Sequence, residues 1–393
     1  MQPQTTEAPR IATSAPSACR GKVVHLSSAH KSTDLRIFQR ECRSLAAAGY
    51  PVTLIAQGEH SRELDGVSVQ ALPRPASRLH RMTRTLWQVY RKAVRSDAML
   101  FHFHDPELIP VALLLRLRGR AVIYDMHENV PHQILGGDDK RWIPRWLRRP
   151  VAWLFAAFER LAAPRFSAVI AANTEIARHA QRLNRRVVLI GNYPEALEFR
   201  SFAPAPGRFT SGRIANFGGI SFRTCSREVV HALSLLAADS NATMVLAGSA
   251  TADALAADLK TLPGWARVEF IGAQPRPRIL QELRTAAMAM VLFSPTPNHY
   301  GVGSNRFYEA LAAGLPVIVS NFPLWRALID RLGCGIAVDP RDPAAIARAI
   351  EQLLTHPEEA AQMGARARQA FLDEFCWDSE ERKLLALYRQ LTA

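Results

Sequence analysis

Apolar residues fall into two rhythms along this chain. Short runs rich in Val, Ile, Leu and Ala, such as residues 22–28 (KVVHLSS) and 51–57 (PVTLIAQ), alternate with longer stretches whose apolar positions recur every three or four residues. The first longer stretch, about residues 35–48, stops at Gly49. The same unit repeats as residues 98–104 (AMLFHFH), a helical period over 106–117 stopped by Gly119, and 121–127 (AVIYDMH). Residues 167–173 and 187–192 continue the pattern, and strands separated by helices in this way predict a parallel sheet covered on both faces. Residues 194–212 then lose the period and gain Pro, Gly and Ser, which predicts a linker. The rhythm restarts at 213–219 (RIANFGG) and runs through 243–249, 267–273, 288–294, 316–321 and 334–339. The expected class is α/β with two doubly wound, Rossmann-like domains at residues 21–193 and 213–377. A Pro-, Ala-, Ser- and Thr-rich lead over 1–20 is expected to be disordered, and a terminal helix over 378–393 is free to pack back on the first domain.

Composition narrows this picture by exclusion. With 48% hydrophobic and 21% charged residues the chain is globular, and its five scattered cysteines contain no CxxC pair, which excludes a disulfide scaffold or zinc ribbon. No apolar run approaches the roughly 18 residues that span a bilayer, and the lead lacks the apolar core of a signal peptide. The expectation is a cytoplasmic protein, soluble or lying on a membrane surface. The net charge of +14 is lopsided: residues 1–200 hold 30 Lys and Arg against 17 Asp and Glu, whereas residues 201–393 hold 19 against 18. Two domains facing different partners are expected from that asymmetry.

Ligands of open parallel sheets bind beyond the carboxyl ends of the strands, so the residues that follow each strand carry the candidate chemistry. In residues 294–320 a loop with Gly301 and Gly303 leads to Ser304 and Asn305, either of which can cap a helix that Gly314 closes. That helix amino terminus offers free N–H groups to a phosphate, with the two glycines allowing close approach. Glu309 lies about 7.5 Å further along the axis, the reach from a diphosphate to the ribose of the same nucleotide. It sits among Phe307, Tyr308, Ala310 and Leu311, and a carboxylate in that company needs a partner that ribose hydroxyls can supply. After the first strand of the second half, Gly218 and Gly219 permit a tight turn beside a phosphate, and Arg223 and Arg227 stand ready to neutralise it. In the first half, His127 and Glu128 follow one strand, His104 and Asp105 another, and His30, Asp34 and Arg36 a third. His127 and His132 are five apart with Pro131 between them, which does not meet the HExxH spacing of a zinc site, although His102 and His104 leave a metal cluster open. Asp105 reads equally as a helix cap or as an acceptor ligand.

The run SNRFYEALAAGLPVIVSNFP resembles the donor-nucleotide motif of the family 4 glycosyltransferases, and the likeness extends over most of residues 22–390. The resemblance implies the GT-B fold, in which two Rossmann-like domains face a cleft, and a retaining transfer of sugar from a nucleotide-diphosphate donor. It implies that Glu309 holds the ribose, that the backbone at Gly303, Ser304 and Asn305 meets the distal phosphate with Arg306 beside it, and that Gly218, Gly219 and Arg223 stabilise the departing diphosphate. It places His127 at the cleft mouth facing donor sugar or acceptor, and His30, His104, Asp105 and Glu128 on the acceptor side. Many members carry a second glutamate eight positions before the first, in contact with the donor sugar; this chain has Gly301 there. No essential metal is expected. The alternatives are a GT-B sugar-nucleotide epimerase and a non-catalytic sugar-nucleotide or membrane-binding protein.

Residues 66–96 contain no acidic residue and seven cations, and residues 140–160 interleave Lys140, Arg141, Arg145, Arg148 and Arg149 with Trp142, Trp146 and Trp153. Tryptophan beside arginine suits a bilayer headgroup region, so residues 74–95 and 140–160 are expected to meet an anionic membrane surface that presents a polyprenyl-linked or saccharide acceptor. No nucleic-acid-binding motif accompanies the charge, and no nucleic-acid partner is expected.

Overall fold

The structure, a computed structural model, describes residues 21–136, 143–250, 253–296 and 299–392. The lead over 1–20 and Lys140, Arg141 and Trp142 lie outside the described residues. Among the described residues, fourteen strands form two sheets. The first contains β1 (Val23–Lys31), β2 (Val52–Gln57), β3 (Arg62–Leu64), β4 (Val67–Leu72), β5 (Leu100–Phe103), β6 (Ala121–Met126), β7 (Ala168–Ala171) and β8 (Val187–Leu189), in the order β3-β4-β2-β1-β5-β6-β7-β8. The second contains β9 (Arg213–Phe217), β10 (Thr243–Ala247), β11 (Val268–Gly272), β12 (Met288–Val291), β13 (Val317–Ser320) and β14 (Gly335–Val338), in the order β11-β10-β9-β12-β13-β14. All neighbours pair in parallel except β3 and β4.

That antiparallel β3–β4 hairpin was not visible in the hydrophobic period, because β3 is short and polar. Its turn is written in Asp65 and Gly66, both at positive φ (50° and 76°), the Asp-Gly pairing of a tight hairpin.

Each sheet is buried on both faces, which is why its strands read as continuous apolar runs rather than alternating ones. Val24, Leu26, Phe101, Phe103 and Tyr124 pack to one side of the first sheet, while Val23, Leu54, Leu100 and Ile123 pack to the other. The second face is completed by the terminal helix (Trp377–Thr392), whose Trp377, Leu384, Leu387 and Tyr388 enter that cluster. Burying such side chains contributes roughly 1.5 to 3 kcal/mol each, enough to hold a helix that departs from the second sheet against the first. Trp377 Nε1 donates to Ser44 Oγ at 2.9 Å, and Glu380 accepts from Gly191 N at 2.8 Å.

Residues 194–212, expected as a linker from their lost period, are packed in part. Phe199 is wholly buried against the second sheet's core, and Arg208 donates to the carbonyl of Ala313 at 2.9 Å. Both sheets reverse strand order at one point, between β1 and β5 and between β9 and β12. Those switch points are where open α/β sheets hold ligands, and the candidate residues follow these strands.

Candidate active site

Seven of the residues named on the donor side line one cavity of about 570 Å³ in the second half: Gly218, Gly219, Gly303, Ser304, Asn305, Arg306 and Glu309. Gly218 is at φ +116°, and its carbonyl would lie 1.7 Å from a Cβ on Gly248, so the loops after β9 and β10 approach as only two glycines allow. Gly219 has nothing within 4 Å of its Cβ position and opens to the cavity. Ser304 holds the N-cap position of the helix Asn305–Ala312 in extended conformation, yet its side chain makes no capping bond. Either Ser304 or Asn305 was expected to cap. Instead Phe307 N donates to the Ser304 carbonyl at 3.0 Å, and the Ser304 side chain takes none of the first-turn N–H groups; Asn305 and Arg306, which open the helix, line the cavity, as an anion site requires.

Glu309 has a protein partner that the sequence reading did not supply. Arg276 donates to Glu309 at 2.7 Å and to both oxygens of Glu198 at 2.7 Å, joining the packed connecting segment to the donor helix. Phe307, Tyr308, Ala310 and Leu311 are buried on the opposite faces of the helix, while Glu309 turns toward the cavity. Burial raises the Glu309 carboxyl and Arg276 pulls it back, while Arg276 itself stays firmly charged between two carboxylates. Arg276 opens the helix Arg276–Thr285 just after β11, a position that the strand-end rule could have flagged. Arg306 donates to the carbonyl of Leu292 at 2.8 Å and lies 4.4 Å from the Phe293 ring centroid. Burial lowers its guanidinium to about 10.

A second cavity of about 350 Å³ shares Phe293, Gly303 and Ser304 with the first and adds Arg223, His127, Glu128, Asn173 and Glu175. The loop of Arg223 is tied to it, since the Arg223 carbonyl accepts from Ser294 N at 2.8 Å. Gly301 lines this cavity too, but its missing side chain makes room for Glu175 of the first half rather than for a phosphate. A third cavity of about 250 Å³ shares His127, Glu128 and Gln133 with the second and adds His30, His104 and Asp105.

His25, His102, His104 and His127 are joined by one hydrogen-bonded chain through Asp125 and Tyr388. Residues 125 and 127 lie two apart at the end of β6 and so share a face, and His127 Nε2 lies 2.6 Å from Asp125 Oδ2. Asp125 was not singled out in the sequence; a D-x-H spacing at a strand end was its signal. Arg36 clamps Asp125 through Nε and Nη2, both at 2.9 Å. Burial opposes the carboxylate charge, but Arg36 and then His127 hold Asp125 well below the usual carboxylate range. Behind it His104 Nδ1 is 3.0 Å from Asp125, His104 Nε2 is 3.0 Å from His25 Nδ1, and Tyr388 OH is 2.9 Å from His25 Nε2 and from His102 Nδ1. Burial keeps His25, His102 and His104 neutral, so each ring has a single N–H. An ionised Asp125 at one end therefore fixes every donor to point toward it, and His127, donating from Nε2, turns Nδ1 away from it.

Two acceptor-side expectations change in consequence. His104 borders the third cavity but is buried with both ring nitrogens taken, so it supports Asp125 rather than reaching a substrate. Asp105 neither caps nor faces outward: it is buried and accepts from Ser27 Oγ at 2.7 Å and Ser28 N at 2.6 Å while pairing with His30 at 3.0 Å. It thereby pins the end of β1. Burial works against a charge on His30, yet the bond to Asp105 pushes it up to about 9. Glu128 is exposed, accepts from Gln133 and borders the second and third cavities, while the partner of His127 is Asp125. His102 and His104 do meet in a metal-capable group with His25 and the buried Glu41, whose donor atoms lie within 4.8 Å of one another, while His132 is exposed and joins no such group among the described residues.

Two parallel-sheet halves with a cleft of linked cavities at their switch points define the GT-B class of glycosyltransferase folds. Residues 36–192 match the family model described as glycosyl transferase 4-like domain, and residues 226–370 match glycosyl transferases group 1. The chain belongs to these family 4-like glycosyltransferases. A glycogen synthase of Mycobacterium tuberculosis is 32% identical over 111 residues, which is 28% of this chain and 25% of that protein. A GDP-mannose-dependent alpha-(1-6)-phosphatidylinositol monomannoside mannosyltransferase of the same organism is 34% identical over 83 residues, 21% of this chain and 22% of that protein. The matched stretches thus span about a quarter of these relatives. Among solved structures, sucrose-phosphate synthase from Thermosynechococcus elongatus superimposes with a TM-score of 0.69 at 17% identity, covering 95% of this chain and 99% of that one. Anabaena HepE in complex with UDP and glucose gives 0.70 at 15% identity, covering 94% and 100%. At such identities the likeness establishes the fold.

Proposed function

We propose that the protein is a retaining glycosyltransferase that moves a sugar from a nucleotide-diphosphate donor to a lipid-linked or saccharide acceptor in the making of a cell-surface polysaccharide. The observation that carries this reading is the run of three linked cavities, from the Glu309 end through the Arg223 and His127 region to the His30 end. The first suits a nucleoside diphosphate, the second its sugar and the third an acceptor, and the similar HepE structure holds UDP and glucose.

In this reading the Arg276–Glu309 pair faces the ribose, and the amides at Asn305 and Arg306 meet the distal phosphate. The bond from the anomeric carbon to the diphosphate oxygen breaks while a bond to the acceptor hydroxyl oxygen forms on the same face. The hydroxyl proton passes to the departing phosphate oxygen, so no protein nucleophile is needed. The charge that builds on the diphosphate is stabilised by Arg223, Arg306 and the helix amides, acting where water is scarce. His127, oriented by Asp125, positions sugar or acceptor between the cavities. The test is release of nucleoside diphosphate from UDP-, GDP- and dTDP-sugars with and without polyprenyl-linked acceptors. Epimerisation without transfer would support the epimerase instead, and binding without turnover a non-catalytic role.

Acceptor delivery from a membrane surface belongs to the same proposal. On the helix Arg145–Ala162, Trp146, Trp153, Leu154 and Leu161 recur at helical spacing and are exposed, with Arg145, Arg149 and Arg160 beside them. The helix Ile109–Leu117 packs against it and the helix Leu86–Arg95 against that one in turn, exposing Leu117 and Trp87. No helix among the described residues is long and apolar enough to cross a membrane, so this face would lie on the bilayer, on the inner side of the cell membrane in this reading.

A further inference from the structure

A Cβ at Gly301 would stand 2.8 Å from Glu175 Oε2 and 3.4 Å from Glu175 Cβ. A side chain at position 301 and the carboxylate of Glu175 therefore compete for one space, although they come from different halves of the chain. Glu175 sits in the first turn of the helix Thr174–Gln181 after β7, and that turn is fixed by Asn173, whose Oδ1 accepts from Ile176 N at 2.9 Å. Asn173 in turn lies 3.2 Å from the Cβ position of Gly303, so the two loops meet along their length. Glu175 is half-buried in the middle cavity, with His127, Arg223 and Ser304 also on its wall, and it has no hydrogen-bond or ion-pair partner among the described residues. A carboxylate in that position is an acceptor waiting for donors, and the hydroxyl groups of a sugar are donors of the right kind.

We propose that Glu175 recognises the hydroxyls of the donor sugar, taking from the first half of the chain the task that the resemblance gives to a glutamate at position 301. The inference rests on the glycosyltransferase reading and adds one consequence to it. The sugar is held by one half and its nucleotide by the other, so the sugar site is complete only when the two halves stand together. A first-turn glutamate also complements a helix dipole, and that lesser role affects stability without touching donor use.

The experiment uses the full chain, the sugar nucleotide that it turns over in the donor panel, and the matching nucleoside diphosphate. Glu175→Ala is expected to lower kcat/KM for the sugar nucleotide roughly 10- to 100-fold, the loss of charge-assisted hydrogen bonds, with affinity for the nucleoside diphosphate unchanged within about twofold. The double variant Glu175→Ala with Gly301→Glu is expected to regain part of the loss, because it returns a carboxylate to the same space. An altered melting temperature with kcat/KM within about threefold of wild type would overturn the proposal, and so would an equal loss of affinity for nucleoside diphosphate. If the wild type binds but turns over no donor, the affinity ratio of sugar nucleotide to nucleoside diphosphate replaces kcat/KM. That ratio still falls in Glu175→Ala if the proposal holds and stays constant if it fails. A wild type that binds no sugar nucleotide overturns this proposal and the function together.

Discussion

Glu309 and Arg276 show how a single residue can be found in sequence while its reason is not. Glu309 was marked by its distance from a helix start, a local quantity, but its ion pair with Arg276 joins positions on different helices and needed the fold. Removing the carboxylate should weaken nucleoside diphosphate binding at least about tenfold, the size of a lost charge-assisted contact, which calorimetry would read. Unchanged affinity would put the ribose elsewhere. The histidines behave likewise. His127 was legible after a strand, but the chain behind it reaches Tyr388 and was not. At His30 the raised value of about 9 has a direct consequence for pH. The ion pair with Asp105 contributes full stability below the ordinary histidine value of about 6.5, and loses it as pH rises toward 9. Thermal stability of wild type should therefore fall more steeply than that of His30→Gln over that range. Parallel curves would show that the pair contributes nothing.

Among the elements, twelve of the fourteen described strands lie within or overlap apolar runs visible in the sequence, because a strand buried on both faces admits few polar positions, and those it holds, such as His25, His102 and Asp125, are hydrogen-bonded. The two exceptions are β3, the short polar strand at the sheet edge, and β4 beside it, where Ser68 and Gln70 break the apolar run. The terminal helix was legible as a helix; its place was not, since nothing local says which surface its apolar side covers. Once docked, it closes the far end of the histidine chain. Tyr388→Phe removes the hydroxyl between His25 and His102 and leaves two buried ring nitrogens without partners, at a cost of about 1 to 3 kcal/mol each at most. Denaturant unfolding should show a loss of that order, with the two-residue step from Asp125 to His127 intact. A variant as stable as wild type would mean that the chain does not bear on folding.

Over the whole molecule, the asymmetry of charge now has a location. The excess of cations lies in the half that carries the exposed tryptophans, while the second half sets only a few cations at its cavities, Arg276, Arg306 and Arg223, for the anionic donor of the proposed reaction. Vesicles containing anionic lipid should float the protein at physiological salt, and Trp146→Ala with Trp153→Ala should release it. Failure of the wild type to float would remove the membrane from the proposal and leave the transfer chemistry untouched. Both sheets hold their candidate residues at the strand-order reversal, which is why a rule about strand ends found so many of them. It did not single out Glu175, because the contact that draws attention to that residue is with Gly301, in a loop of the opposite half.

The central claim is transfer, and product analysis tests it most directly. Incubated with the sugar nucleotides and a polyprenyl-linked acceptor, the full chain should release nucleoside diphosphate in step with the appearance of glycosylated acceptor. Proton NMR of the new linkage should show the anomeric configuration of the donor. Diphosphate released with no sugar on the acceptor, or a linkage of inverted configuration, would contradict the proposed retaining transfer.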